Sequence, residues 1–152
     1  MTVGLYDWER MKRWTWRLLK GKGYAYACIG NTVLAHRFVL NAKKGQQVDH
    51  INGNGLDNRR CNLRFATQSQ NLANRKPKSR HGFKGIYFCQ GRWVAMVCFE
   101  RKRYYLGRYV SPERAAMAYD RAALAVAGAY AALNFPDRRY RKKAPAPLPT
   151  LH

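Results

Sequence analysis

Two early, largely apolar runs, Tyr24–Ile29 and Thr32–Leu40, read as strands, and the Gly30-Asn31 pair between them predicts a β-hairpin. Gln47–Ile51 reads as a short strand, and Asn52-Gly53-Asn54-Gly55 as a loop by its turn chemistry. Thr67-Gln68-Ser69-Gln70 has the form in which the first and fourth side chains cap each other's backbone N–H groups. It predicts a helix from Gln68 to about Arg75, stopped before Pro77. Ahead of these elements, residues 1–22 interleave Trp8, Trp14 and Trp16 with Arg10, Lys12, Arg13, Arg17, Lys20 and Lys22, a basic aromatic lead-in without a clear period.

The pattern changes after the polar, basic stretch KPKSRHGFK at 76–84, which predicts a domain boundary. Three strands follow over Gly85–Cys89, Arg92–Phe99 and Arg103–Tyr109, joined at Gln90-Gly91 and at Glu100–Lys102 by turns short enough to require antiparallel pairing. Ser111-Pro112-Glu113 then opens a helix: a capping hydroxyl, a proline tolerated at the first position, and an acid at the positive dipole end. Ala115, Ala118, Tyr119, Ala122, Ala125 and Val126 share a face at helical spacing, and Gly128 is the expected stop. Beyond Pro136 the chain is basic and then proline-rich, which predicts disorder.

Charge adds the first functional constraint. The 152 residues carry 29 Lys+Arg against 8 Asp+Glu, a net +21, and such an excess implies a polyanionic partner, nucleic acid above an anionic membrane surface. At 47% hydrophobic and 13% aromatic residues the chain has enough apolar side chains for packed cores. No apolar run approaches the roughly 20 residues of a membrane span, and the N-terminus lacks a signal-peptide core. Cys28, Cys61, Cys89 and Cys98 fit no common zinc spacing and read as reduced core or surface thiols. A cytoplasmic protein is expected.

The scarcity of acids narrows the chemistry. Between Glu9 and Glu100 the carboxylates are Asp49 and Asp57 alone. A hard cation such as Mg²⁺ takes oxygen ligands, often one or two carboxylates completed by substrate phosphate. Asp49 directly precedes His50, a side chain able to act as general base near neutral pH. The amides of Asn58, Asn62, Asn71 and Asn74 lie downstream, with Asn71 on the capped helix, which could bring its carbonyl toward Asp49. An isolated Asp-His pair is more often part of an ordinary turn; the ordered set of Asp-His, an Asn-rich loop and a helical Asn is more specific.

The segment VDHINGNGLDNRRCNLRFATQSQNLANRK resembles the HNH endonucleases, particularly the phage and homing type, over about residues 30–76. The resemblance implies two strands and a helix around one divalent metal, with Mg²⁺ as the ion and Mn²⁺ as a substitute. Carried over by position, Asp49 is the metal-ligating acid, His50 the general base, and Asn62 the central residue that supports the histidine or the phosphate. Asn71 is the second metal ligand, standing where the strict motif has His, and Asn74 is the alternative if the register slips. His36-Arg37 in LAHRF also fits; Arg37 is assigned to a phosphate, against the equal alternative of a solvated strand-edge side chain. Asp57 is expected to brace the loop with Arg59 or Arg60.

The block from Gly85 to Pro136, through YYLGRY, SPERAAMAYDRAA and ALNFP, is similar to the plant ethylene-response-factor (APETALA-type) DNA-binding domain. That family lays its sheet into the major groove, a mode open to β-ribbons generally. Strand alternation places Ile86, Phe88, Trp93, Ala95, Val97, Tyr104 and Leu106 toward the helix. Tyr87, Cys89, Arg92, Val94, Met96, Cys98, Arg103 and Tyr105 then face outward, and Arg108 joins them only if Gly107 makes a bulge. The DNA-contacting set is Lys84, Tyr87, Arg92, Arg101, Arg103, Tyr105 and Arg108, with Arg37 from the first unit. Tyr, Cys and Met stand where the plant domains crowd Arg and Trp, so the plant target sequence does not carry over.

The expected fold class is α+β. A ββα-metal HNH module with its lead-in occupies 1–78, a three-stranded antiparallel sheet packed on one helix occupies 79–137, and a tail occupies 138–152. The expected function is metal-dependent hydrolysis of phosphodiester bonds in double-stranded DNA at a preferred site, with no membrane and no obligatory protein partner. A non-catalytic DNA-binding regulator with an inactive nuclease fold is the alternative, and a basic structural RNA-binding protein the third.

Overall fold

The computed structural model describes residues 1–140 except 20, 22, 77, 78, 80, 138 and 139. The tail expected to be disordered, Asp137 and Tyr140 apart, and Pro77, Lys78 and Arg80 of the expected boundary thus lie outside the described residues. The chain divides into two compact units, Met1–Asn71 and Leu72–His152. Both are mixed α/β with antiparallel sheets.

In the first unit, α1 (Leu5–Met11) leads into a three-stranded sheet of β1 (Arg17–Leu19), β2 (Tyr24–Ile29) and β3 (Asn31–Leu34). The lead-in is therefore ordered: Met11 is fully buried, and the Trp16 indole donates to the Met11 carbonyl at 2.9 Å. The hairpin turns on Gly30 alone, at φ +72°, with Asn31 already paired to Ile29. The expected strand to Leu40 is wrong past Leu34: Ala35–Val39 forms the helix α2. Its buried residues Ala35, His36 and Val39 sit at helical spacing, but Leu34 offers no side-chain cap, so no local signal marks the switch and tertiary burial decides it.

β4 (Gln47–His50) pairs antiparallel with β5 (Leu63–Ala66), in a register that sets Asp49 opposite Arg64 and His50 opposite Leu63. α3 (Gln68–Ala73) follows, two residues shorter than expected. Its cap forms reciprocally: Thr67 N donates to Gln70 Oε1 at 2.8 Å and Gln70 N to Thr67 Oγ1 at 3.2 Å. Met11, Ala25, Ala35, Val39, Val48 and Leu63 make the core of this unit.

The second unit pairs β6 (Ile86–Cys89), β7 (Arg92–Phe99) and β8 (Lys102–Tyr109) in sequence order and packs α4 (Pro112–Ala127) on them. Gln90 and Gly91 turn at φ +47° and +72°, Glu100 and Arg101 at +49° and +65°, the left-handed pairs that match the twist of a hairpin. Ser111 Oγ accepts from Arg114 N at 3.3 Å, with Pro112 in the first turn, and Gly128 ends the helix at φ +52°. Ile86, Ala95, Ala115 and Ala116 form one core cluster and Val97, Tyr119, Ala122 and Ala123 another. The alanines let the helix lie close to the sheet.

Three details differ from simple alternation. Ala125 is exposed, while Ala116, Asp120 and Ala123 are buried, so the helix face is rotated from the expected one. Phe88, expected inward, is exposed and lies against Trp93 with ring centroids 5.2 Å apart. Val94, expected outward, is only 4% exposed; its register neighbours are Tyr87 and Arg108, whose long side chains flank it.

Candidate functional site

The site is built on β4 and the loop that follows. Asp49 and His50 are both buried, at 4% and 6% exposure. A carboxylate so far from water needs a compensating charge. The cross-strand register supplies it, with Arg64 Nε and Nη2 at 2.9 and 2.8 Å from Asp49 Oδ2.

His50 sits in a polar and aromatic setting. Its Nε2 lies 3.1 Å from Oδ1 of Asn58, a fully buried side chain. The His36 ring stands edge-on to it at a centroid distance of 5.1 Å and 78°, and the Tyr24 ring lies 5.9 Å away at 32°. Burial lowers the His50 pKa, against the raising effects of the Asn58 hydrogen bond and of Asp49 and Asp57. Burial lowers His36 further, to about 4, helped by charge repulsion from His50 and Arg37, so His36 is neutral at physiological pH.

The loop from Asn52 to Asn62 is cross-braced. Asn62 Nδ2 donates to Asn52 Oδ1 at 3.0 Å and to the Asp57 carbonyl at 2.8 Å, and its Oδ1 accepts from Asn52 N at 3.0 Å. Asp57 takes both bonds of the Arg59 guanidinium, at 2.8 and 2.7 Å, which holds its carboxyl well below the usual carboxylate range. This is the bracing role read from the sequence, with Arg59 as its partner. Arg60 instead forks onto the buried Asp7 of α1 at 2.8 and 2.8 Å. The N-terminus adds main-chain bonds: Thr2 N donates to Leu56 O and Asn58 N to Thr2 O, each at 2.7 Å. The segment before α1 thus fixes Asn58, the partner of His50.

Asn71 lies on α3 with Nδ2 3.5 Å from Gln47 Oε1. Gln47 and Asp49 are two apart on β4 and so have the same parity along the strand, Gln47 exposed and Asp49 buried. Arg37 donates to the carbonyls of Ala42, Lys43 and Gln46, clamping the turn before β4. Among the described residues no group of three or more His, Cys, Asp or Glu could hold a metal. All four cysteines are free and exposed.

In the second unit a register shift falls between Ala95 and Met96: Ala95 pairs with Gly107 and Met96 with Tyr105, leaving Leu106 as the extra residue. Gly107, at φ +113°, adopts a backbone that side chains disfavour. The bulge restores Arg108 to the parity of Arg103 and Tyr105, as their partners Val94, Cys98 and Met96 on β7 show. Tyr87 and Arg92 share that face from β6 and β7, with Arg101 exposed in the second turn. Arg108 Nη2 contacts the Cys89 and Gln90 carbonyls at 3.1 and 3.3 Å, at the end of the sheet. Lys84 differs from these: half-buried, it donates through Nζ to the Ala73 carbonyl, and burial, then Arg75, pulls its ammonium down to about 8.

Residues 33–73, which carry Asp49, His50, Asn58, Asn62 and Asn71, match the family model described as HNH endonuclease. This segment is similar to the HNH endonucleases. An uncharacterized HNH endonuclease of Acanthamoeba polyphaga mimivirus is 29% identical over 139 residues, covering 87% of this chain and 73% of that protein. Two ethylene-responsive transcription factors of Arabidopsis thaliana are 48% and 47% identical over 65 and 57 residues, or 41% and 36% of this chain. The chain spans only 28% and 23% of those plant proteins. HNH and plant-factor similarity thus coexist in one chain. No helix among the described residues is long and apolar enough to cross a membrane.

Sequence reasoning gives no specific role to three residues of the matched segment. Asn58 was one amide among several, and only the fold shows that it meets His50. His36 lay inside an apparent strand. Arg64 becomes visible only once the β4–β5 register sets it against Asp49.

Proposed function

We propose that this protein is a metal-dependent endonuclease that hydrolyses double-stranded DNA at preferred sites, with β4, β5 and α3 as the ββα-metal element of its HNH segment. The observation that carries the reading is the buried Asp49–His50 pair, each partnered by its own side chain, within the segment that matches the family.

The donor set suits a hard cation. Asp49 offers carboxylate oxygen and Asn71 amide oxygen, and a small divalent ion such as Mg²⁺, or Mn²⁺ in its place, needs few protein ligands when substrate phosphate supplies more. Asp49 and Asn71 would hold it, with Arg64 sharing the Asp49 charge. When bound, such an ion neutralises negative charge that builds on the phosphate in the transition state.

The protein's own groups do the rest. An oxygen at Asn58 Oδ1 accepts only from a protonated Nε2, so it selects the His50 tautomer whose lone pair is on Nδ1. That nitrogen takes the proton of a water attacking phosphorus. The P–O3′ bond breaks, the 3′-oxygen gains a proton from solvent, and the ends are 5′-phosphate and 3′-hydroxyl. Burial serves this role, because a lowered pKa keeps His50 unprotonated and so able to accept a proton at neutral pH. Asn62 acts through the loop, holding Asn52 and Asp57 so that Asn58 stays in place.

The outward face of the second sheet is the proposed reader. Tyr87, Arg92, Arg103, Tyr105 and Arg108 share its parity, with Arg101 at its edge. Arg37 and Lys84 were also expected at DNA; their guanidinium and ammonium groups bind backbone carbonyls, and we propose supporting roles for them. Full-length protein with plasmid and Mg²⁺, with and without chelator and beside a gel-shift, tests the whole reading. Chelator-sensitive nicking supports it, whereas DNA binding without cleavage would make the protein a regulator with an inactive nuclease fold.

A further inference from the structure

His36 is buried at 7% exposure on α2, yet its Nδ1 has no hydrogen-bond partner among the described residues. A buried nitrogen left without a partner costs stability, and an aliphatic side chain would fill the same space without that cost. His36 is therefore poorly explained as a core residue. Strained or uncompensated groups that persist in a well-packed fold mark functional positions more often than ordinary ones.

What His36 touches gives the function. Its ring stands at 78° to the His50 ring, 5.1 Å between centroids, the edge-to-face geometry that aromatic rings prefer. Tyr24 touches both, at 5.4 Å and 62° from His36 and 5.9 Å and 32° from His50. Tyr24 is itself pinned: a Cβ at Gly55 would fall 2.6 Å from its ring, so the loop fits against it only because residue 55 is glycine. Asn58 Oδ1 meets His50 at one ring nitrogen. The edge of the His36 ring adds a contact that constrains the plane of the imidazole.

We propose that His36 is a positioning residue for the cleavage reaction, holding the imidazole plane of His50 through this edge-to-face contact. The inference rests on the nuclease reading and deepens it: one side chain sets the tautomer of the base and another sets its orientation.

The test compares full-length wild type with His36→Leu and His36→Phe. Four quantities are measured: melting temperature, gel-shift affinity, the kcat–KM split on a Mg²⁺-dependent nicking substrate, and the His50 ring signals by NMR on free protein. A positioning role predicts that His36→Leu melts at or above the wild-type temperature, binds DNA with unchanged affinity and KM, and loses at least tenfold in kcat. Its His50 signals should average or broaden where wild type shows one ring state. His36→Phe, which keeps a ring edge against His50, should recover most of kcat and the single set of signals. Wild-type kcat in His36→Leu would overturn the inference, as would a His36→Phe no better than His36→Leu in a folded protein. If wild type itself does not cleave, the nuclease reading fails separately, and the NMR comparison still decides this one: identical His50 signals in wild type and His36→Leu overturn it.

Discussion

Replacing Asn58 by alanine removes the side chain that meets His50 Nε2 at 3.1 Å. Asn58 is fully buried, so no bulk water is at hand to take over the bond. A neutral hydrogen bond in such a setting contributes about 0.5–1.5 kcal/mol net. The loss of tautomer selection adds to it, because only molecules with the lone pair on Nδ1 are then competent. Together these should lower kcat by about 10-fold to 100-fold, or about 1.4–2.8 kcal/mol of transition-state stabilisation. KM should change little, since Asn58 is too deep to meet DNA. The main-chain bond that residue 58 N donates to the Thr2 carbonyl persists in the variant, which limits the structural damage. The assay is single-turnover nicking of a plasmid at saturating Mg²⁺, with circular dichroism to confirm folding. Asn58→Asp is the informative partner: a carboxylate still accepts from Nε2–H and raises the His50 pKa, so activity should survive better than in Asn58→Ala but fall off at a higher pH on the acid side. A folded Asn58→Ala with wild-type kcat would refute the role given to this contact.

Asp49→Ala should abolish cleavage and measurable Mg²⁺ or Mn²⁺ binding by calorimetry, and Asn71→Ala should weaken both more mildly, a neutral amide being the poorer ligand; unchanged metal binding in Asp49→Ala would move the metal elsewhere. Arg103→Ala should cost about 1–3 kcal/mol of affinity and relax specificity at one base position if Arg103 reads a base, whereas a phosphate contact would weaken all sequences alike, a distinction that cut-site mapping resolves. Gly107→Val should reduce DNA affinity more than its fold stability predicts, because a side chain at φ +113° opposes the bulge that turns Arg108 outward; equal affinity for variant and wild type in a gel-shift would remove Arg108 from the interface. The depressed pKa of His36 sets an acid limit: the folded state resists a proton that the unfolded state takes up near 6.5, so stability is complete above pH 6.5 and falls as the pH drops toward 4, by about 3 kcal/mol for this group. Urea midpoints of wild type and His36→Leu across that range check it, the variant being expected to lose less.

Much of this was legible before any fold was known, and the exceptions share a cause. The α3 cap, the Ser111 cap and the three strands of the second sheet were readable because their signals lie within a few residues of the backbone groups that they satisfy. The bulge was legible as a condition: parity alone excluded Arg108 from the outward face unless Gly107 broke the register, and it does. The helix at Ala35–Val39 was hidden because its sequence continues the apolar run of β3 and carries no cap, so only burial against the core selects it. The place of His36 beside His50 was hidden with it. Asn58 and Arg64 acquire their roles from residues 8 and 15 positions away, through a loop closure and a strand register. Pairings of that kind leave no periodic trace in the chain.

In the proposed reaction one neutral histidine performs the chemistry while many cations hold the DNA. The most direct measurement is His50→Ala in full-length protein, assayed for Mg²⁺-dependent nicking and for DNA binding on the same substrate. Nicking should disappear while the gel-shift remains at wild-type affinity and salt dependence. Nicking by His50→Ala at close to the wild-type rate, in protein free of contaminating nuclease, would contradict it.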